Sequence, residues 1–175
     1  QDQYAAAYGG MNLIEFGKQV KVTPLPRVQA ENLLFSMVLI YIGGTRESRD
    51  IQKGFKELSD NQIKALDEIK ESVDKARYYI EMRDVGSVGT LMHEVWQLKK
   101  KSNKGVSNPR IDEIYNYACK NGAIGGKILG AGGAGYMLFI VKPEDKERFI
   151  KKMRKRDIFD IDFSIDWNGV EARIL

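Results

Sequence analysis

Apolar and polar residues follow two different periods along the chain, and each period predicts a different kind of element. Alternation from Met11 to Phe16 and again from Val20 to Thr23 predicts the two strands of a hairpin. The alanine-rich segment from Gln1 to Tyr8 predicts a helix. The nearly continuous apolar run from Leu33 to Ile42 predicts a buried strand.

In the middle of the chain, apolar residues recur every three or four positions, which is the period of a helix with one buried face. A helical region begins at Arg49 or Asp50 and continues to Met82. Two further helices are predicted at Val85–Lys101 and Pro109–Lys120. Proline suits the first turn of a helix, which supports the start of the second one.

The last third of the chain returns to a mixture of strands and helix. The run from Tyr136 to Val141 predicts a buried strand, and Pro143 to Arg156 predicts a helix. Two closing strands are predicted from Phe159 to Asp166 and from Val170 to Leu175. We therefore expect an α+β fold after Pro26, with helices packed on a largely antiparallel sheet.

Composition narrows the classes of function. The 175 residues are 43% hydrophobic and 30% charged, as expected of a globular protein. A single cysteine and a single histidine exclude an intrachain disulfide, a cysteine cluster and a multi-histidine metal site. No apolar run is long enough to span a membrane, so we expect a cytoplasmic protein without a membrane partner.

The net charge of +4 comes largely from basic runs at residues 99–101 and 151–156. Such runs could meet nucleic acid, or they could be the solvated ends of amphipathic helices. No aromatic residues are interleaved with them to stack on bases. We therefore expect no nucleic-acid partner.

A glycine-rich segment precedes the strand at Tyr136. Its glycines are Gly130, Gly132, Gly133 and Gly135. Glycines at this density let backbone amides approach an anion such as a phosphate. They are equally suited to a tight turn that feeds a core strand, and the spacing alone leaves both readings open.

The segment Lys127-Ile-Leu-Gly-Ala-Gly-Gly-Ala-Gly135 resembles the third, C-terminal motif of the GHMP kinases, with Ala134 where that family usually has glycine. The resemblance implies a kinase that uses ATP and Mg²⁺. It implies that the loop supports the nucleotide phosphate loop through Gly130, Ala131, Gly132, Gly133 and Gly135. It also implies that residues 27–175 form the ferredoxin-like C-terminal domain, and that residues 1–26 end the N-terminal catalytic domain.

Asp2 would serve as a helix N-cap if it were judged on its residue type alone. However, the segment from Gln1 to Gly10 resembles the GHMP segment whose aspartate faces the substrate hydroxyl. The resemblance therefore implies that Asp2 is the catalytic carboxylate, which orients the attacking hydroxyl.

Two further groups are candidates for substrate binding. Thr45 and Arg46 follow a buried strand, where the guanidinium could hold an anion or could simply be solvated in a surface turn. His93, Trp96 and Lys99 are spaced by three and share one helix face. They could line a phosphosugar pocket, or Trp96 could lie in the core with the other two at its rim.

The pattern His93-Glu-x-Trp-x-x-Lys99 and the segment Val106-Ser-Asn-Pro109 resemble heptose-7-phosphate kinases among the GHMP enzymes. This implies transfer of the ATP γ-phosphate to the anomeric hydroxyl of a phosphorylated heptose, for nucleotide-heptose and surface polysaccharide. The phosphate loop of the family is absent from these residues, so we expect an N-terminal half as partner and no activity from this chain alone. No metal ligand is expected in the chain, and a homodimer is compatible with the sequence. The alternatives are a neutral-sugar kinase of the fucokinase type and a non-catalytic small-molecule-binding or regulatory module.

Overall fold

The structure is a computed structural model that describes residues 1–44 and 58–171. It begins with helix α1 (Asp2–Tyr8), followed by strands β1 (Asn12–Phe16) and β2 (Val20–Pro24). These strands pair antiparallel, with Asn12 opposite Pro24 and Phe16 opposite Val20. The hairpin is thus as the alternation predicts, and the first helix is as its alanine-rich sequence predicts.

The remaining elements form an α+β unit. They are α2 (Arg27–Ser36), β3 (Met37–Gly43), α3 (Asp60–Glu81), α4 (Val85–Ser102), α5 (Pro109–Lys120), β4 (Ala123–Ile128), β5 (Gly135–Val141), α6 (Lys146–Arg154) and β6 (Asp160–Ile161). Short 3-10 turns lie at Lys104–Val106 and Pro143–Asp145.

The four strands of this unit form one antiparallel sheet in the order β4-β5-β3-β6. Taken along the chain after α2, the order of elements is strand, helices, two strands, helix and strand. That connection and strand order are those of a ferredoxin-like fold. The prediction of an α+β fold with helices on an antiparallel sheet is therefore confirmed.

Helices cover both faces of the sheet, because alternate residues of a strand point to opposite faces. On one face, Met137 and Phe139 of β5 join a cluster with residues of α5 and α6. Ile140 belongs to a second cluster, which includes residues of α2, α3 and α4. Helix α4 contributes Val88 to the second cluster and Trp96 to the first.

The predicted strand from Leu33 to Ile42 is wrong at its beginning, because residues up to Ser36 form the last turn of α2. Ala30, Leu33 and Ser36 are buried at helical spacing, while Phe35 between them is 69% exposed. An unbroken apolar run fits a buried strand and a helix equally well.

Strand β4 is absent from the sequence-based expectation, because Gly125 and Gly126 weaken any strand pattern. Both glycines are needed for packing. A Cβ on Gly125 would meet the carbonyl oxygen of Gly89 in α4, and one on Gly126 would lie 2.5 Å from the Phe139 ring. The close packing against α4 and Phe139 requires glycine at these positions, and glycine does not have the pattern of a strand.

The closing strands are also shorter than expected. Of the segment from Phe159 to Asp166, only Asp160–Ile161 forms a strand, and it pairs with β3. Val170 and Glu171 are not in a strand, and the rest of the last predicted strand lies outside the described residues. The predicted helix start at Arg49 or Asp50 lies outside them as well. In the part of the chain that the structure describes, no helix is long and apolar enough to cross a membrane.

Candidate functional site

The glycine-rich segment forms the connection between β4 and β5, and it is held by the residues that precede α5. The amide of Gly133 donates to the carbonyl of Val106 at 2.9 Å. Gly132 has φ +100°, and a Cβ built on it would lie 2.9 Å from both Cα and Cβ of Val106. A larger residue at Gly132 would therefore push the loop away from Val106.

Asn108 joins this loop to α5. Its Oδ1 accepts from the amide of Ile111 at 3.0 Å, which caps the first turn of the helix. Its Nδ2 reaches the carbonyl of Gly133 at 3.4 Å. One side chain thus fixes both the start of α5 and the position of residues Leu129–Ala134, which we call the glycine loop.

Lys99 approaches the same loop from α4. Its Nζ donates to the carbonyl of Gly130 at 2.7 Å. The prediction placed Lys99 on one helix face with His93 and Trp96, and the structure places only Lys99 in contact with the glycine loop. Helix α4 therefore brings one cation to the loop.

Trp96 is fully buried in the core, with its ring centroid 6.2 Å from that of Tyr115. Its Nε1 has no hydrogen-bond partner within the described ranges. Since its ring has no exposed surface for a ligand, Trp96 belongs to the core, as the second reading expects for this residue.

His93 lies beside Tyr115, with 2.6 Å between His93 Nδ1 and the phenolic oxygen. Burial is the main cause that raises the pKa of Tyr115 above its usual range, and the neighbouring Cys119 thiol adds to it. The phenol therefore keeps its proton at neutral pH and can donate it to His93 Nδ1 in a hydrogen bond. This contact fixes the orientation of the imidazole ring.

The base of the glycine loop is electropositive. Burial lowers the pKa of Lys99 to about 8, and the positive charge of Lys127 on β4 contributes to the shift. Burial also lowers the pKa of Lys127. Two ammonium groups at the start of a glycine loop are suited to an anion.

Asp2 is the first residue of α1, and its side chain is exposed. The N-cap of α1 is Gln1, and the Asp2 carboxylate caps nothing within residues 1–44 and 58–171. No hydrogen bond or ion pair joins it to the glycine loop or to Lys99 among those residues. Thr45 and Arg46, the other predicted substrate residues, lie outside the described residues.

The far end of α1 is anchored by a turn near the end of the described chain. The amide of Gly10 donates to the carbonyl of Asp166 at 2.6 Å, and the amide of Val170 donates to the carbonyl of Ala7 at 3.1 Å. Asp166 Oδ1 accepts from the amides of Asn168 and Gly169 at 3.0 and 3.4 Å, which closes the turn. The helix that carries Asp2 is thus held at its C-terminal end.

Lys127, Tyr115, Val106 and Asn108 complete the site but were not predicted to be part of it. Lys127 had a sequence signal, because it is the first residue of the glycine-rich motif Lys127–Gly135. The roles of Tyr115 and Val106 depend on contacts between elements, which a residue pattern does not encode. Within the described residues, no group of three His, Cys, Asp or Glu side chains is arranged to hold a metal ion.

Comparison with known proteins places these features in a family. The model of the GHMP kinases C-terminal domain matches residues 65–157, just over half of the chain. A D-glycero-alpha-D-manno-heptose 7-phosphate kinase of Campylobacter jejuni is 37% identical over 179 residues, which cover 98% of this chain and 52% of that protein. An L-fucokinase/L-fucose-1-P guanylyltransferase of Bacteroides fragilis is 24% identical over 163 residues, which cover 87% of this chain and 17% of that protein.

A solved structure also resembles this chain. The crystal structure of a D-glycero-D-manno-heptose 1-phosphate kinase from Bacteriodes thetaiotaomicron superposes with a TM-score of 0.66 at 29% identity, covering 93% of this chain and 44% of that one. The chain spans about half the length of these two heptose-phosphate kinases. The chain therefore belongs to the GHMP kinases, and its residues 65–157 are part of their C-terminal domain.

Proposed function

We propose that this chain is the C-terminal half of an ATP-dependent kinase that phosphorylates the anomeric hydroxyl of D-glycero-D-manno-heptose 7-phosphate. The observation that carries the proposal is the 37% identity to a heptose 7-phosphate kinase over 98% of the chain. The product would supply nucleotide-heptose for surface polysaccharide. Residues 1–26 would belong to the catalytic N-terminal domain and residues 27–175 to the C-terminal domain.

In this proposal Asp2 orients the acceptor. The anomeric oxygen attacks the γ-phosphorus of ATP, the bond to the β–γ bridging oxygen breaks, and ADP leaves. The hydroxyl proton passes to the Asp2 carboxylate, which acts as general base. Two features support this role: Asp2 is exposed at the start of α1, and the other end of that helix is fixed by the turn at Asp166.

The glycine loop fits a ligand that carries phosphates. The amides of Ala131 and Gly132 donate to no protein acceptor in the part of the chain that the structure describes. Lys99 stands next to them on the Gly130 carbonyl. Unpaired amides and a nearby ammonium group are donors that complement phosphate oxygens.

Within residues 1–44 and 58–171, no group of three or more His, Cys, Asp or Glu side chains is arranged to hold Mg²⁺. Its ligands would come from the catalytic half of the kinase, and no part of the role proposed for Asp2 depends on it. We also propose that the chain alone transfers no phosphate, because the phosphate loop of the family is not among its residues.

The experiment is an acceptor panel with the complete kinase: D-glycero-D-manno-heptose 7-phosphate, the same heptose without its phosphate, and L-fucose. ATP consumption is followed in a coupled assay, and the position of the new phosphate is assigned by ³¹P NMR. The proposal expects transfer to the anomeric position of the phosphorylated heptose. Preferred transfer to L-fucose would favour the fucokinase alternative, and no transfer to any sugar would favour a non-catalytic binding module.

A further inference from the structure

Two lysines flank the beginning of the glycine loop. Lys99 donates to the carbonyl of Gly130 at 2.7 Å. Lys127 lies on β4 opposite Leu138, two residues before the loop begins. Both side chains are half-buried. The two lysines therefore lie at the same end of the sheet, one on α4 and one on β4, and the charge of Lys127 acts on the Lys99 ammonium.

Neither lysine has a carboxylate within ion-pair distance among the residues that the structure describes. The next residue along α4 behaves differently, because Lys100 pairs with Asp112 at 3.1 Å. Arg154, on α6, pairs with Asp160 at 2.7 Å. The carboxylate of Asp112 therefore pairs with Lys100, the residue that follows Lys99 on α4, and not with Lys99 itself.

Two like charges that are partly removed from water and lack a counter-ion are unfavourable. Burial lowers the pKa of both lysines, and the charge of Lys127 adds to the shift of Lys99. An anion between the two ammonium groups would relieve it. Lys99 uses one of its N–H groups on Gly130, which holds the ammonium in place and leaves its other donors for a ligand.

We propose that Lys99 and Lys127 together form a binding site for a phosphate monoester beside the glycine loop. A dianion matches two cations better than a carboxylate does, and the unpaired amides of Ala131 and Gly132 supply further donors nearby. This inference rests on the proposed function, and it adds Lys127 as a residue that recognises the substrate.

The phosphate could come from two sources, the non-reacting phosphate of the sugar or the phosphates of the nucleotide. A phosphorylated acceptor brings a second dianion close to ATP, and that charge needs its own cationic partners. The sugar phosphate is therefore the expected ligand, and the binding experiment separates it from the nucleotide.

The test uses the complete kinase and measures dissociation constants by calorimetry for three ligands: heptose 7-phosphate, the unphosphorylated heptose and ADP. The variants are Lys99→Met and Lys127→Met, which remove the ammonium group and keep an unbranched side chain of nearly the same length. Lys100→Met is the matched control, because its ammonium already has Asp112 as partner. Lys127→Arg keeps the charge and checks that any loss follows the charge itself.

Each Met variant at Lys99 or Lys127 should weaken heptose 7-phosphate binding by about 10- to 100-fold, the range for a lost charge-assisted hydrogen bond. Binding of the unphosphorylated heptose, and all binding by the Lys100 control, should be nearly unchanged. The same loss on ADP alone would support the anion site and assign it to the nucleotide. Unchanged affinity for all three ligands, or equal loss on both heptoses, would overturn the site.

Failure of the inference can be told from failure of the proposed function. If wild-type kinase phosphorylates heptose 7-phosphate while the Met variants bind it normally, only the lysine site is wrong. If the wild type neither binds nor phosphorylates heptose 7-phosphate and neither Met variant weakens ADP binding, both are wrong. Thermal unfolding of each variant shows whether a loss reflects misfolding, and the second lysine variant keeps the test decisive if one variant does not fold.

Discussion

Gly9 and Gly169 pack backbone against backbone. A Cβ on Gly9 would lie 2.5 Å from the amide nitrogen of Gly169, and a Cβ on Gly169 would lie 2.7 Å from the amide nitrogen of Gly9. These positions are 160 residues apart along the chain, yet no side chain fits between them. The contact fixes the end of the helix that begins with Asp2.

Replacing Gly169 with alanine should therefore loosen α1. Gly169 has φ +66°, where alanine is strained by about 1–3 kcal/mol, and the added methyl group would also meet the backbone of Ala7 and Gly9. We expect a lower free energy of unfolding and faster amide hydrogen exchange at Gly9 and Gly10. Asn168→Ala is the matched control, since Asn168 is exposed on the same turn. Equal exchange in both variants would show that the packing of Gly169 does not hold α1.

Asp2→Asn should lower the turnover of the complete kinase by roughly 10²- to 10⁴-fold, the usual scale for loss of a general base. Nucleotide affinity should change little, because Asp2 is proposed to face the acceptor. The measurements are steady-state kinetics and calorimetry with ADP. Asp60→Asn is the control, because Asp60 is also an exposed aspartate in the first turn of a helix. Loss of nucleotide binding with normal turnover per bound complex would make Asp2 a structural residue.

Gly132→Ala should be more damaging than Gly135→Ala. The two glycines have similar φ angles, +100° and +93°, so the backbone strain of alanine is comparable. Only Gly132 faces another segment, with Val106 at 2.9 Å, while Gly135 has open space around the position of a Cβ. We expect a larger loss of unfolding free energy and a weaker affinity for ADP in Gly132→Ala. Equal losses would mean that the Val106 contact adds nothing to the shape of the loop.

Binding of the phosphorylated sugar should weaken as the pH rises through about 8, where Lys99 loses its proton. The Michaelis constant for heptose 7-phosphate should rise by up to about tenfold between pH 7 and pH 9, since roughly one Lys99 in ten stays charged one unit above its pKa. Lys99→Met should remove this dependence, and the unphosphorylated heptose should not show it. A flat profile for the wild type would contradict the role of the ammonium.

The lowered pKa of Lys99 also makes the stability of the fold depend on pH. The pKa of Lys99 is lower in the folded chain than its ordinary value of 10.5, so burial of the charged form opposes folding. That opposition is fully present below about pH 8 and fades as the pH rises towards 10.5. Removing the buried charge in Lys99→Met should therefore add to the free energy of unfolding at pH 7, relative to the wild type. This added stability should disappear at about pH 10.5. Denaturant titrations at both values check the sign.

Local patterns predicted the fold wherever one period dominated. The helices α4 and α5 and the hairpin β1–β2 follow directly from spacing and from a proline or glycine at their ends. The pattern failed at α2 and β3, where an unbroken apolar run hides the change from helix to strand. It also failed at β4, whose glycines are explained only by the approach of α4 and Phe139.

The candidate site was predictable in its parts but not in its arrangement. The glycine loop and Lys99 were both visible as residues, yet their contact through the Gly130 carbonyl depends on how α4 crosses β4. The same holds for the Asp166 turn against Ala7 and Gly10, which joins the two ends of the described chain. Contacts between residues this far apart come from tertiary packing, which a single sequence does not display.

The central claim is that this chain belongs to a kinase for a phosphorylated heptose. The most direct test is the ratio of kcat/KM for D-glycero-D-manno-heptose 7-phosphate to that for the same heptose without its phosphate, measured with the complete enzyme and ATP. The account predicts a ratio of about 10 or more, because one charge-assisted contact to the phosphate is worth at least that factor. A ratio near one, or a preference for the unphosphorylated sugar, would contradict it.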